Sequence, residues 1–224
     1  MNLAMVVVAA GRGARFGADK LAEMLAEKTV LETALESLRR AMPDAPTVVV
    51  VPPERVGRWR RQLGSSFPNA VVVGGGQRRQ DSVRIGVRTA AEAKADVVAI
   101  HDAARPLVDP EDVKGVVWAL GDGPGAVLTA QAVDTVKRVD AEGVIVETIA
   151  RRDLRLAQTP QVFTVSALEE AWAQTGDDVE WTDESALLEA NGHRVRSVVA
   201  RHPNPKLTKD SDLRFLRALQ GTPR

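Results

Sequence analysis

Gly11, Gly13, Arg15, Gly17 and Lys20 follow directly on the apolar run Val6-Val7-Val8-Ala9-Ala10. Glycines let a backbone turn tightly and bring its N–H groups up to phosphate oxygens, an approach that a Cβ would obstruct. Arg15 and Lys20 add full positive charge where phosphoryl transfer develops negative charge. The chemistry in outline is that of a polyphosphate cradle. It is not a Walker loop, because Gly17 is followed by Ala18-Asp19-Lys20-Leu21 and not by Lys and Ser or Thr. Nor is it the dinucleotide fingerprint: Phe16 stands where the third glycine belongs, and Glu32 and Glu36 lie in a helical pattern instead of ending a second strand.

Three further polar clusters follow apolar runs. Gly74-Gly75-Gly76 leads to Asp81-Ser82, where the glycines permit close backbone approach and Ser82 opens a helix, as a phosphate ligand, a base ligand or a plain cap. His101-Asp102-Ala103-Ala104-Arg105-Pro106 is the next. Asp102 there suits a magnesium-bound triphosphate or a ribose hydroxyl, and Arg105 suits a phosphate or an ion pair with Asp102. His101 has no neighbour that completes a catalytic pair and reads as structural. The last comprises Arg151, Thr159-Pro160-Gln161, Thr182-Asp183-Glu184 and Asn204-Pro205-Lys206, each bland alone and informative together.

The elements that must hold these residues alternate. Strands are predicted at Ala4 to Ala9, Thr47 to Val51, Ala70 to Val73, Asp96 to Ile100 and Ala126 to Ala130. Helices are predicted through Val30 to Met42, Asp81 to Ala93 and Asp109 to Leu120, the last with Asp109 as N-cap and Pro110 behind it. Such alternation is the signature of βαβ units, an α/β fold with a mostly parallel sheet whose loops converge at the carboxyl ends of the strands. Val133 to Val139 and Val144 to Ile149 then alternate about Asp140-Ala141-Glu142-Gly143, a β-hairpin projecting as an arm over about residues 132–152. An isolated hairpin is marginal in water, so packing on a second copy is expected. Ser166 to Gln174 and Asp183 to Ala190 read as helices, Arg194 to Ala200 as a strand, and Asp210 to Leu219 as an amphipathic helix. One domain over residues 1–224 is the expectation.

The 224 residues carry 30 basic and 30 acidic groups, so no overall field attracts nucleic acid or an anionic membrane. With no cysteine, thiolate metal sites and cysteine nucleophiles are excluded, and the three histidines show no ligand spacing. No apolar run approaches a membrane span and the N-terminus has no leader pattern, so the chain reads as cytoplasmic. No protein-built metal site is expected; a metal would arrive with a nucleotide. The residues by themselves reach a nucleoside triphosphate and an anionic acceptor, and leave open a noncatalytic nucleotide-binding protein.

Taken together, Ala9-Ala10-Gly11-x-Gly13-x-Arg15, Lys20, Asp81-Ser82-Val83, His101 to Pro106, Asp134-Thr135-Val136-Lys137, Thr159-Pro160-Gln161, Thr182-Asp183-Glu184 and Lys206-x-Thr208 make the chain similar to the 2-C-methyl-D-erythritol 4-phosphate cytidylyltransferases, nearly end to end. The resemblance implies a Rossmann-like nucleotide-diphospho-sugar transferase fold and a homodimer whose arms reach the partner's site. It also implies a reaction of CTP, with Mg²⁺ held mainly by its phosphates, and 2-C-methyl-D-erythritol 4-phosphate, in non-mevalonate isoprenoid synthesis. On this pattern Arg15, Lys20, Arg151 and Lys206 carry catalysis. Ala9, Ala10, Gly11, Gly13, Gly76, Ser82, Asp102, Ala103 and Arg105 hold the nucleotide, and Asp102, Arg105, Thr135, Arg151, Thr159, Thr182 and Lys206 hold the acceptor. Two departures stand out. Asp19-Lys20-Leu21 replaces the family's usual Pro-Lys-Gln and is closer to molybdenum-cofactor guanylyltransferases, and Gln77 stands where the family has an acid. That guanylyltransferase and ribitol-phosphate cytidylyltransferase are the competing nucleotidyltransferases.

Overall fold

The computed structural model describes residues 1–11, 20–176 and 179–220. Its first half runs β1 (Leu3–Val8), β2 (Met24–Leu25), β3 (Lys28–Thr29), α1 (Val30–Ala41), β4 (Thr47–Val51), α2 (Val56–Leu63), β5 (Ala70–Gly74), α3 (Arg79–Glu92) and β6 (Val97–Asp102). It continues with α4 (Pro110–Ala119), β7 (Gly125–Gln131), β8 (Val136–Val139), β9 (Ile145–Ile149), β10 (Arg155–Thr164), α5 (Val165–Gln174), α6 (Glu184–Ala190), β11 (Val195–Val199) and α7 (Asp210–Gln220). The main sheet has seven strands in the order β11-β7-β10-β6-β1-β4-β5. All pairings in it are parallel except those of β10 with β6 and β7.

The apolar runs are continuous because this sheet is covered on both faces, and successive side chains must each find a core. Along β1, Leu3, Met5 and Val7 enter one buried cluster with Leu31, Leu35 and Leu38 of α1 and Val113 and Val116 of α4. Ala4 and Val6 enter the other, with Val83 and Val87 of α3 and Leu168 of α5. α1 starts where Thr29 caps it: Thr29 Oγ1 accepts from the Glu32 N–H at 3.2 Å, and the Glu32 carboxylate accepts from the Thr29 N–H at 2.8 Å. Asp109 caps α4 as the sequence indicates, accepting from the Glu111 N–H.

The structure departs from the sequence reading at several points. β6 does not stop at Ile100 but carries His101 and Asp102 as its last residues, paired with Val7 and Val8 of β1. α3 begins at Arg79, which puts Ser82 inside its first turn. Four elements lie outside the sequence expectations: the two-residue strands β2 and β3, α2, and the ten-residue β10, which contains Thr159-Pro160-Gln161. β10 is antiparallel because the chain leaves the sheet on β7, turns through the β8–β9 hairpin and comes straight back beside β7. The hairpin forms a separate two-stranded sheet, and Val139, Val144, Ile145 and Val146 on it are more than half exposed.

Candidate active site

β1, β5 and β6 end at one edge of the sheet, and the segments that leave them enclose a pocket. The opening loop contributes Ala9, Ala10, Gly11 and Lys20. Gly76 and Ser82 face them from the turn into α3, and Asp102 and Lys206 close the floor. A carbonyl-edge crevice of this kind is where open α/β sheets bind ligands. The glycine turn is held by side chains behind it. Ser82 Oγ accepts from the Gly76 N–H at 3.1 Å and donates to the Arg78 carbonyl at 3.2 Å, while Asp81 accepts from the Arg78 N–H and guanidinium. A Cβ built on Gly75 would lie 2.5 Å from the Ala10 Cβ and 2.7 Å from Ser82 Oγ, so only glycine lets the two loops approach this closely.

Asp102 is the electrostatic centre of the pocket. Its Oδ2 accepts from Lys206 Nζ at 2.6 Å, and its Oδ1 faces the Arg79 Nε and one terminal nitrogen at 3.4 Å each. Burial works to raise the Asp102 pKa, but the Arg79 and Lys206 charges override it and hold it at about 2. The carboxyl is therefore ionised throughout the physiological range. Arg79 has a second partner: its remaining terminal nitrogen donates to both oxygens of Glu184, at 3.0 and 2.9 Å. Burial pushes the Glu184 carboxyl up, and the Arg79 charge opposes that rise.

Beneath Asp102 runs a chain of hydrogen bonds. The Asp102 N–H donates to Thr159 Oγ1 at 3.0 Å, and Thr159 Oγ1 lies 3.1 Å from His101 Nδ1. His101 Nε2 lies 2.9 Å from the Arg105 carbonyl, which can only accept, so Nε2 carries the proton and Nδ1 accepts from Thr159. Burial of the whole ring pushes His101 down to about 4, which keeps it neutral. His101 is a structural residue that fixes the end of β6 and the turn after it.

Of the residues that the sequence singled out, Ala9, Ala10, Gly11, Lys20, Gly76, Ser82, Asp102 and Lys206 are brought together here. Ala103 lies behind the pocket, its N–H donating to the Val8 carbonyl at 3.0 Å. The Arg105 guanidinium turns away from Asp102 and donates to the Asn204 carbonyl at 2.6 Å, tying the 103–106 turn to the segment that carries Lys206. Thr159 is buried under Asp102. Thr182 is exposed ahead of α6, and Thr135 and Arg151 are exposed at the base of the hairpin; none of the three lines this pocket. Gly13 and Arg15 lie outside the described residues. Glu184 stands inside a quoted segment and Arg79 between the glycines and Asp81-Ser82, and the sequence attaches no role to either. Their 105-residue separation leaves no local pattern by which to pair them.

A sequence model of the family 2-C-methyl-D-erythritol 4-phosphate cytidylyltransferase matches residues 3–220. The chain belongs to this family. A 2-C-methyl-D-erythritol 4-phosphate cytidylyltransferase from Frankia casuarinae is 39% identical over 221 residues, covering 97% of this chain and 81% of its own. A bifunctional enzyme IspD/IspF from Rhodospirillum rubrum is 39% identical over 216 residues, and the chain spans only 55% of that longer protein. Among solved structures, the 2-C-methyl-D-erythritol 4-phosphate cytidylyltransferase of Thermus thermophilus superposes with a TM-score of 0.78 at 30% identity, with 98% of each chain covered. The Thermus thermophilus structure thus shares this fold over nearly the whole length of both chains.

Proposed function

We propose that this chain transfers the cytidylyl group of CTP to 2-C-methyl-D-erythritol 4-phosphate, forming 4-diphosphocytidyl-2-C-methyl-D-erythritol and pyrophosphate. The observation that carries the proposal is the convergence of Gly11, Lys20, Gly76 and Ser82 with Asp102 and Lys206 in one pocket. In this reading the glycine turns and Lys20 serve the triphosphate, and Asp102 and Lys206 serve the second substrate. Family membership supports the choice of both substrates.

In this reading a phosphate oxygen of the acceptor attacks the α-phosphorus of CTP in line. The new P–O bond forms as the bond to the bridging oxygen breaks, and pyrophosphate leaves with the electron pair. The attacking phosphate is already an anion, so no side chain has to remove a proton. Catalysis is then mostly positioning and charge stabilisation. Lys20, with Arg15 five residues before it in sequence, balances charge developing on the α-phosphoryl oxygens and the leaving group, and Lys206 serves the acceptor phosphate.

Mg²⁺ enters this reading as a companion of CTP. Among the described residues no three His, Asp or Glu side chains group as a metal site, and Asp102 is the carboxylate that lines the pocket. One ionised carboxylate fits an ion that takes one or two carboxylates together with substrate phosphates and water. Asp102 would hold it, and the bound ion would neutralise triphosphate charge.

The same reading makes the hairpin a dimerisation arm, a role its exposed Val139, Val144, Ile145 and Val146 support. Thr135 and Arg151 would then complete the acceptor half of the partner's site, with Thr182, Arg105 and Thr159 serving from their own chain. In this reading the setting is cytoplasmic, and the balanced charge gives no overall field to draw nucleic acid or an anionic membrane. Among the described residues no helix is long and apolar enough to cross a membrane. Pyrophosphate release with CTP, Mg²⁺ and methylerythritol 4-phosphate tests the reading against GTP and ribitol phosphate. Faster release with either competitor, or nucleotide binding with no release, would overturn it.

A further inference from the structure

The two oxygens of Asp102 are served by cations held in very different ways. Lys206 reaches Oδ2 through one ammonium contact of 2.6 Å, from a half-exposed side chain in an irregular segment. Arg79 stands on the first turn of α3 and is gripped from behind by Glu184, the first residue of α6. Glu184 is 3% exposed, and among the described residues its carboxylate accepts hydrogen bonds only from Arg79. A buried carboxylate with a single cationic partner holds that partner firmly, since separating them would leave an uncompensated buried charge. One cation is therefore anchored and the other is exchangeable.

We infer that Arg79, locked by Glu184, is a positioning residue that fixes Asp102 through Oδ1 so that Oδ2 alone exchanges between Lys206 and the incoming substrate. The inference rests on the proposed reaction and deepens it by assigning a task to two side chains to which the sequence attaches none. Binding of the anionic acceptor draws Lys206 off Asp102. Without the Arg79 contact, Asp102 would then have lost both of its protein cations and be free to rotate and to follow Lys206. With it, the carboxylate keeps its place and its charge. The Arg79–Glu184 bridge also ties the first turn of α3, which carries Ser82, to the start of α6.

The test combines Arg79→Gln, Arg79→Lys, Glu184→Gln and the Arg79→Gln/Glu184→Gln double variant. Each glutamine single variant is expected to lower kcat for pyrophosphate release by about tenfold or more, the scale of one lost charge-assisted hydrogen bond, while KM for CTP stays within about twofold. The double variant should be no worse than the worse single one, because the two residues act as a unit. Arg79→Lys should rescue only in part, since one ammonium cannot span both carboxylates. A second readout needs no turnover: the ¹³C carboxyl resonance of Asp102. The titratable groups facing Asp102 are Arg79 from α3, Glu184 from α6, Lys206 from the segment after β11, and His101 and Arg105 from its own strand and turn. At constant pH that resonance should stay a single narrow line in the wild type when methylerythritol 4-phosphate is added, and in Arg79→Gln it should broaden or split as the carboxylate rotates. Unchanged kcat in Arg79→Gln, multiplicative losses in the double variant, or an Asp102 resonance unaffected by Arg79→Gln would each overturn the inference. A wild-type protein that released no pyrophosphate would instead count against the reaction, and the Asp102 resonance would still decide the role of Arg79.

Discussion

Lys20 donates a hydrogen bond from Nζ to the carbonyl oxygen of Leu207 at 3.1 Å, joining the end of the opening glycine loop to the residue beside Lys206. The two halves of the pocket are thereby linked across 187 positions of sequence. A lysine that reads as a triphosphate ligand in the sequence also braces the segment that presents the second lysine.

Lys20→Ala should lower turnover by about two to three orders of magnitude, as loss of one oxyanion-type donor does. The steady-state kcat for pyrophosphate release checks this. A value within a fewfold of wild type would remove Lys20 from the chemistry and leave it only the brace on Leu207.

Arg151→Ala and Lys206→Ala should raise KM for methylerythritol 4-phosphate by roughly tenfold or more, the scale of a hydrogen bond to a charged group. CTP affinity, measured by calorimetry, should stay nearly intact. If CTP binding collapsed instead, the division of the pocket into nucleotide and acceptor halves would be wrong.

Most of the sheet is legible in the sequence because β1, β4, β5 and β7 are apolar on both faces, and an uninterrupted run of valine and alanine between helical patterns has few other readings. The departures cluster where polar residues are buried. β6 reads as ending before His101 and Asp102, although His101 is satisfied by Thr159 and the Arg105 carbonyl and Asp102 by Arg79 and Lys206. β10 escapes notice because Thr159, Pro160 and Gln161 look like a loop, and α2 because its arginines leave only Val56, Trp59 and Leu63 to mark its inner face. The pocket itself is half legible. Glycines and lysines announce phosphate chemistry locally, but the Arg79–Glu184 pair exists only once the fold brings the starts of α3 and α6 together.

Stability should fall on acidification through His101. Its folded pKa of about 4 lies below the ordinary value of 6.5, so the stabilising contribution is complete above pH 6.5 and is lost as pH falls toward 4. At ~1.4 kcal/mol per pH unit this amounts to about 3 kcal/mol. Urea unfolding between pH 7 and 4 should show that loss, and His101→Gln should flatten it. The Asp102 carboxyl, also depressed, gives up its contribution in a lower window, from the ordinary value of 3.8 down to about 2. An unaltered slope in His101→Gln would contradict the neutral buried ring.

Gly75→Ala should open the contact between the glycine turn and the Ala10 loop, since the added methyl meets the Ala10 Cβ at 2.5 Å. Overpacking of this kind costs about 1–3 kcal/mol. Thermal unfolding should show it, and CTP affinity should weaken in step because both loops line the pocket. Wild-type stability together with wild-type CTP affinity would show that the loops tolerate separation.

The central claim is that one pocket joins a cytidylyl group to methylerythritol 4-phosphate. ³¹P NMR of the purified protein with CTP, Mg²⁺ and methylerythritol 4-phosphate tests it most directly. The account predicts a new diphosphodiester signal and pyrophosphate growing in equal amounts, with GTP giving neither. No diester from CTP, or a diester formed from GTP in its place, would contradict it.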